Sequence, residues 1–162
     1  METNIFIEQE NKLIADGFKI ISKDLNRPWG GFFVLDEEQA ELFAKKYFSD
    51  LNFEDIKKGL NLSPKILIVK PNQRLSWQYH FRRSEIWKVI QGTAGVVRSY
   101  DDKEGVLQEL ITGSQITLKQ GERHRLIGLT EYAVIAEIWQ HLDANNPSNE
   151  EDIVRVQDDY GR

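Results

Sequence analysis

The chain has 162 residues, of which 40% are hydrophobic and 29% charged, a length and composition that fit one compact domain. A net charge of -5 argues against nonspecific nucleic-acid binding, and the absence of cysteine excludes disulfide bonds and a thiolate nucleophile. No apolar run approaches the roughly 18 residues of a membrane span, and the acidic N-terminus lacks the features of a signal peptide. We therefore predict a cytoplasmic protein without a membrane partner.

The first third of the chain is predicted to be mainly helical. Residues 36–48, DEEQAELFAKKYF, carry apolar side chains at helical spacing behind an acidic start. Residues 53–60 fit a second, shorter helix that ends at Gly59. The preceding segment RPWGG contains turn residues and leads into a short strand from Phe32 to Leu35.

From Lys65 onward, short β-branched and aromatic runs are separated by Gly, Asp and Asn, a pattern typical of antiparallel strands. The predicted strands are Ile66–Lys70, Leu75–His80, Glu85–Gln91, Gly95–Tyr100, Leu107–Ile111, Gln115–Leu118, His124–Ile127 and Ala133–Trp139. Eight strands at this spacing favour a sandwich or barrel, and a jelly roll is one way to limit open sheet edges. The polar, acidic tail after His141 is a flexible end by composition, although DIVRV within it is apolar.

Ionisable residues are concentrated in residues 75–92, LSWQYHFRRSEIWKVIQG. On a strand, Gln78 and His80 point to the same side, and a tight turn would bring Glu85 onto the neighbouring strand. If His124 joins them, the set of carboxylate, amide oxygen and imidazole suits zinc, manganese or iron better than calcium or magnesium. The residues alone leave another interpretation open, in which both histidines are ordinary half-buried side chains and the glutamate pairs with an arginine.

The spacing of these residues resembles the two cupin motifs. Residues 72–92 follow the pattern Asn-x5-Gln-x-His-x4-Glu-x6-Gly, and residues 113–124 follow Gly-x5-Lys-x-Gly-x2-His. Relative to the motifs, a glycine, a histidine and a proline are replaced by Asn72, Gln78 and Lys119. Both motifs are therefore present at full spacing.

Within the cupins, the chain is most similar to the type II mannose-6-phosphate isomerases, which include the isomerase domain of bifunctional mannose-1-phosphate guanylyltransferases. The matching stretches, from Arg27 to the last residue, are RPWG, PNQRLSWQYHFRRSEIW, QGTAGVV, GERHRL and EDIVRVQDDYGR. The resemblance implies an all-β cupin jelly roll (double-stranded β-helix) with a short N-terminal helical extension. A single domain, residues 1–162, is expected, with an N-terminal arm (1–63), a barrel (64–141) and a signature tail (142–162) ordered against it. Because no nucleotidyltransferase segment precedes these stretches, a stand-alone member of the family is expected.

The resemblance also implies one divalent metal ion, with zinc as the first candidate and manganese, iron or cobalt as alternatives. The ligands that it carries over are Gln78, His80, Glu85 and His124. The implied reaction is the interconversion of mannose 6-phosphate and fructose 6-phosphate through an enediol, with the metal as a Lewis acid.

Arginines are the expected contacts of the sugar phosphate, because the planar guanidinium group matches phosphate oxygens. Arg83 and Arg125 match family positions, and Arg82 is a further candidate. Arg155 in the tail also matches a family arginine and would stabilise enediolate charge as a catalytic residue, with Arg162 as the alternative. A structural salt bridge to an aspartate of the tail is the competing interpretation for either one. The catalytic base stays unassigned.

Three residues depart from the family pattern around the ligands. Phe81 and Arg82 stand where the family has histidines, and Ile86 replaces the histidine that follows the glutamate. These changes leave two alternatives open: a non-catalytic cupin that binds a sugar or sugar phosphate, and an isomerase for a different sugar phosphate. Because most cupins have open sheet edges and pair through them, a homodimer is expected.

Overall fold

The computed structural model describes residues 4–162, in which eleven strands and three α-helices are present. In chain order the elements are α1 (Ile5–Ala15), β1 (Ile20–Arg27), β2 (Gly30–Leu35), a 3-10 helix (Glu37–Gln39), α2 (Ala40–Tyr47), α3 (Phe53–Lys57), β3 (Lys65–Val69), β4 (Trp77–Tyr79), β5 (Arg83–Gln91), β6 (Ala94–Ser99), β7 (Gln108–Leu110), β8 (Gln115–Leu118), β9 (Arg123–Gly128), β10 (Ala133–His141) and β11 (Val154–Gln157). Each of the eight strands predicted from the sequence corresponds to one of β3 to β10.

The strands form two antiparallel sheets that pack face to face. The first sheet has the order β1-β2-β3-β10-β5-β8, and the second has the order β11-β4-β9-β6-β7. Neighbours in each sheet are distant in sequence, as when β10 lies between β3 and β5. This wound arrangement confirms the predicted double-stranded β-helix, or jelly roll.

Strand β3 explains how one short run of sequence serves two cores. All five residues of KILIV are buried. Ile66 and Ile68 face the helices on the outer side of the first sheet, where they join the aromatic residues of α2 and its C-terminal end. Leu67 and Val69 face the second sheet and pack in the barrel interior with residues such as Leu126 of β9. Because both faces are covered, the strand is a continuous apolar run without alternation.

The N-terminal segment contains two elements that the sequence did not predict. Helix α1 begins at Ile5 after Asn4, whose side chain accepts hydrogen bonds from two backbone N–H groups of the first turn. Strand β1 is a largely exposed edge strand with the polar sequence IISKDLNR, so it lacks the apolar alternation that would identify it. The turn between β1 and β2 requires Gly30, because a Cβ atom there would lie 1.9 Å from the carbonyl oxygen of Ile68.

The C-terminal tail is ordered against the barrel. Strand β11 pairs with β4, with Arg155 opposite Gln78. The flexible end predicted from composition is therefore wrong, and the ordered tail implied by the family resemblance is confirmed. The reason is that the tail's hydrogen bonds and a few apolar groups complete an open sheet edge, a tertiary effect that composition does not record. None of the helices within residues 4–162 is long and apolar enough to cross a bilayer.

Candidate metal centre and cleft

Two strands of one sheet and one strand of the other bring the predicted ligands together. Gln78 of β4 lies opposite His124 of β9, and His80 follows directly after β4. The sequence predicted that Glu85 would lie on the strand next to β4, and this prediction is wrong. The chain crosses to the other sheet after His80, so Glu85 of β5 faces the histidines across the barrel interior. The ligand atoms of His80, Glu85 and His124 all lie within 4.8 Å of one another, and all three residues are buried.

The hydrogen bonds of the two histidines fix which ring nitrogen faces the centre. His80 donates from Nδ1 to the carbonyl oxygen of Asp152 at 2.7 Å, and His124 donates from Nδ1 to that of Glu122 at 3.0 Å. A neutral imidazole that donates from Nδ1 has a lone pair on Nε2. These Nε2 atoms lie 3.4 and 3.5 Å from the two carboxylate oxygens of Glu85. Each histidine is therefore oriented by a backbone carbonyl, as metal ligands are.

This arrangement fits a cation better than an empty site. Among residues 4–162, the buried Nε2 of His124 has no hydrogen-bond partner. An imidazole lone pair that faces a carboxylate oxygen at 3.5 Å repels it, and leaving a buried acceptor unsatisfied costs about 1–3 kcal/mol. A divalent ion bound by His80, Glu85 and His124 would remove both costs. The buried group can thus hold a metal ion, with nitrogen and oxygen ligands that suit a transition metal.

The charge states of the group support the same conclusion. Burial lowers the pKa of His80 to about 4, with Glu85 opposing the effect and His124 and Arg83 adding to it. Burial would raise the pKa of Glu85, but the positive charges around it, including that of Arg83, outweigh burial and hold it well below its usual range. Near neutral pH, the centre offers a neutral imidazole and an ionised carboxylate, the forms that bind metals.

Gln78 lies beside the group but does not yet present its oxygen to it. Its Oε1 accepts a hydrogen bond from Ser76 Oγ at 2.6 Å, and its Nε2 lies 3.4 Å from His80 Nε2. The amide nitrogen is a donor and does not bind metals. Gln78 can act as the fourth ligand only if its side-chain amide rotates by about half a turn.

A cleft of about 110 Å³, partly open to solvent, adjoins the buried group and shares Glu85 with it. Its charged lining consists of five basic and three acidic residues: Arg27, Lys65, Arg83, Arg155 and Arg162, and Glu85, Glu137 and Glu150. The lining carries a formal charge of +2 in a chain whose net charge is -5. The positive charge of the cleft therefore attracts anions locally, although the protein as a whole is acidic.

Four arginines predicted as site residues occupy different places. Arg83 and Arg155 line the cleft. The structure does not bring Arg125 there, because it follows His124 on β9 and so points to the other face of the sheet, where it donates to Leu75 and Gln157.

Arg82 is likewise not among the described residues that line the cleft. Its guanidinium group donates to Asn146, to the carbonyl oxygen of Pro147 and to Asn149, so it anchors the tail. Of the two tail arginines, Arg162 forms an ion pair with Asp158 at 2.8 Å. Arg155 is exposed and forms no ion pair with any residue from 4 to 162.

Among the cleft residues that the sequence analysis missed, two stand out. Arg27 reaches it from the end of β1, the strand that was not predicted. Glu137 lies on β10, where a lone carboxylate within the apolar run AVIAEIW was an available signal. Its two oxygens accept hydrogen bonds from Trp87 Nε1 at 2.9 Å and Trp139 Nε1 at 2.8 Å. Burial, together with the charge of Glu85, raises the pKa of Glu137 to about 7.

The three departures from the family pattern all lie outside this cleft. Phe81 is exposed and packs edge-on against Tyr79 on the outer side of β4. Ile86 is buried in the core beneath the helices, on the other face of β5 from Glu85. With Arg82 directed at the tail, none of the three is among the described residues that line the cleft. The three departures therefore do not alter the residues that line the cleft.

The fold and the buried group define the class of protein: a cupin with a histidine and glutamate centre inside its barrel. The structure of the capsular polysaccharide assembling protein CapF from Staphylococcus aureus matches with a TM-score of 0.52 and 13% identity, over 86% of this chain and 32% of that one. At this identity the similarity concerns the fold alone. The chain belongs to the family described as mannose-6-phosphate isomerase C-terminal, whose model matches residues 38–158.

Named relatives agree with this assignment. The xanthan biosynthesis protein XanB of Xanthomonas campestris pv. campestris is 36% identical over 111 residues, which are 68% of this chain and 22% of the relative. A mannose-1-phosphate guanylyltransferase of Salmonella montevideo is 26% identical over 143 residues, which are 88% of this chain and 24% of that protein. The chain thus spans less than a quarter of the length of these relatives.

Proposed function

We propose that the protein is a metal-dependent aldose-ketose isomerase that interconverts mannose 6-phosphate and fructose 6-phosphate through an enediol. The observation that carries this proposal is the buried His80, Glu85 and His124 group beside a cleft lined by basic residues. A metal ligand set next to an anion-attracting cleft is what an isomerase of sugar phosphates needs. The description of the family supports the choice of substrate.

His80, Glu85 and His124 would hold one divalent ion, with Gln78 as a fourth ligand after rotation of its amide. Zinc is the first candidate, and manganese, iron and cobalt suit the same mixed ligands. When bound, the metal supplies Lewis acidity that polarises the sugar carbonyl. Hydrogen bonds orient these ligands before a metal binds. Backbone carbonyls hold the two histidines, and Arg83 holds Glu85.

The phosphate contacts that we propose differ from those predicted from the sequence. Arg155 lines the cleft and is exposed without an ion-pair partner in residues 4–162, so its charge is available to an anion. Arg27 and Arg162 line the same cleft from β1 and from the end of the tail. Guanidinium groups from separate elements can surround a phosphate and bind it bidentately.

Arg83 would contact the substrate as well as support the metal ligands. Its Nε donates to Glu85 at 2.8 Å, and its Nη2 lies 3.3 Å from the Nε2 of His80. If that histidine nitrogen binds a cation, its lone pair no longer accepts this hydrogen bond. One N–H of Arg83 would then be free to donate to an oxygen of the bound sugar phosphate.

The test is a coupled assay for conversion of mannose 6-phosphate to fructose 6-phosphate, before chelation, after chelation and after addition of zinc or manganese. We expect turnover that the chelator abolishes and the metal restores. Turnover that survives complete metal removal would contradict the proposal. Metal without turnover on this pair, but with turnover on another hexose or heptose phosphate, would favour the alternative isomerase. Binding without any turnover would favour the non-catalytic cupin.

A further inference from the structure

The isomerisation needs one group that the metal and the arginines do not supply, a base that moves a proton between C1 and C2. Such a base must line the cleft, and a carboxylate that does not bind the metal keeps more of its basicity. Three carboxylates line the cleft: Glu85, Glu137 and Glu150. Glu85 belongs to the buried set of His80, Glu85 and His124, which we call the metal group. Glu150 is an exposed residue in an ion pair with Lys65. Glu137 is left without a role.

The position of Glu137 is fixed by its neighbours on both sides of β10. In the sheet it lies between Lys65 of β3 and Trp87 of β5. Each of its oxygens accepts a hydrogen bond from an indole N–H group, one from Trp87 and one from Trp139. Because an indole N–H only donates, both oxygens act as acceptors here, and each keeps a second lone pair for another proton. The carboxylate is thus held rigidly while it retains basic capacity.

The same contacts connect Glu137 to the metal group. The Nε1 of Trp87 lies 2.9 Å from Glu137 Oε2 and 3.2 Å from Glu85 Oε1. One indole nitrogen therefore joins the two carboxylates. A sugar whose carbonyl lies at the metal group would have its neighbouring C–H bond near this part of the cleft. The two roles of an isomerase, polarising the carbonyl and removing the proton, are placed side by side.

We propose that Glu137 is the catalytic base that carries the proton between C2 and C1 of the sugar phosphate. This inference rests on the proposed function. In the direction from aldose to ketose, Glu137 takes the proton from C2, and the electrons of that C–H bond form the C1=C2 double bond of the enediol. The carbonyl π electrons pass to O1, which takes up the proton released from O2 through solvent. Glu137 then returns its proton to C1: the C1=C2 π electrons form the new C1–H bond, and the electrons left on O2 form the C2=O2 carbonyl. C1 is thus reduced, C2 is oxidised and no external reductant is needed.

The protonation behaviour of Glu137 supports the assignment. A general base works best when its pKa lies near the working pH, and in the metal-free protein burial raises the pKa of Glu137 to about 7. The charge of Glu85 acts in the same direction, whereas Lys65 and Arg83 oppose it. The geometry carries the proposal, and this value agrees with it.

The experiment measures deuterium exchange by proton NMR on metal-loaded protein with fructose 6-phosphate in deuterated water. For Glu137→Gln, which keeps the size but loses the basic carboxylate, exchange and conversion should fall by about 10²- to 10⁴-fold. Bound metal should stay at the wild-type level, and the affinity for fructose 6-phosphate should change by less than about tenfold. The matched control is Glu109→Gln, an exposed carboxylate of β7 that does not line the cleft, for which we expect a change of less than about fivefold.

The outcomes separate the inference from the proposed function. Exchange by Glu137→Gln within about tenfold of an active wild type would overturn the role of Glu137 and leave the isomerase intact. No exchange by the wild type itself would overturn both. If Glu137→Gln does not fold, Glu137→Ala decides. A rate that rises with added formate supports the base, and a rate independent of formate overturns it.

Discussion

Two carboxylates of the cleft lie close to the same indole nitrogen and yet have opposite protonation behaviour. Glu85 is ionised because the charges around it, including that of Arg83, outweigh its burial. Glu137 is nearly as deeply buried, but its pKa is raised to about 7 because burial and the charge of Glu85 dominate. Environments that separate the pKa values of neighbouring acids are typical of sites that use one as a fixed ion and the other in proton transfer.

The raised pKa of Glu137 predicts a cost in stability. The pKa of Glu137 in the folded protein, about 7, exceeds the ordinary 4.5. Its contribution to the free energy of unfolding is therefore present below pH 4.5 and is lost as the pH rises through 7. For metal-free protein, we expect the stability difference between wild type and Glu137→Gln to shift by about 3 kcal/mol in favour of the variant between pH 4.5 and 8. Urea denaturation of both proteins at the two pH values measures it. A difference that is independent of pH would contradict the assignment.

For individual residues, the sequence predicted the centre of the site better than its surroundings. The motif spacing identified His80, Glu85 and His124, which the structure places together. The outward direction of Arg125 followed from strand alternation, since its neighbour His124 points inward, but a match to a family position does not contain this information. Arg27 could not be placed, because the hairpin of β1 and β2 that carries it reaches the cleft only through the pairing of β2 with β3, a strand distant in sequence.

Among the elements, the tail acts as a support for the metal group. The carboxylate of Asp152 accepts hydrogen bonds from the backbone N–H groups of Phe81 and Arg82 and from Ser148 Oγ. Its backbone carbonyl accepts the Nδ1–H of His80. The loop before β11 therefore fixes both the turn after β4 and the orientation of a ligand. Partners of this kind commonly contribute 10- to 100-fold to metal affinity.

We therefore expect Asp152→Asn to weaken metal binding by about 10- to 100-fold, because an amide cannot accept all of these hydrogen bonds. Titration against a chromophoric chelator measures the affinity, and limited proteolysis reports whether the tail is released. Glu151→Gln is the matched control, since Glu151 is exposed next to Asp152. Unchanged affinity in Asp152→Asn would show that the tail does not support the ligand.

The elements also show what pattern analysis can predict. Strands β3 to β10 were predicted because β-branched runs between turn residues are a local signal. Strand β1 and the tail strand β11 were missed because their residues are polar and they become strands only by pairing with β2 and β4. The crossing of the chain between sheets after His80 is likewise set by the tertiary fold.

For the whole molecule, the charge distribution separates the cleft from the rest of the surface. A cleft with a formal charge of +2 in a protein of net charge -5 attracts small anions, while the remaining surface repels polyanions. This distribution agrees with a small phosphorylated ligand rather than nucleic acid. The homodimer, the cytoplasmic location and the single-domain organisation remain predictions.

Arg155 gives a direct test of this charge distribution. We expect Arg155→Gln to weaken binding of fructose 6-phosphate by about tenfold, because one charge-assisted contact to phosphate is lost. Isothermal titration calorimetry measures the affinity. The control is Arg123→Gln, whose guanidinium group stacks 3.7 Å from the Tyr79 ring, away from the residues that line the cleft. Equal weakening in both variants, or none in Arg155→Gln, would contradict the proposed phosphate contact.

The buried metal group is the central claim, and the chain supplies its own control because it has three histidines, of which His141 lies outside the group. The most direct test is the metal content by mass spectrometry of untagged wild type, His124→Ala and His141→Ala, with thermal unfolding to verify folding. We predict about one transition-metal ion per chain in the wild type and in His141→Ala, and almost none in folded His124→Ala. Stoichiometric metal in His124→Ala, or a wild type that neither contains nor takes up zinc or manganese, would contradict the account.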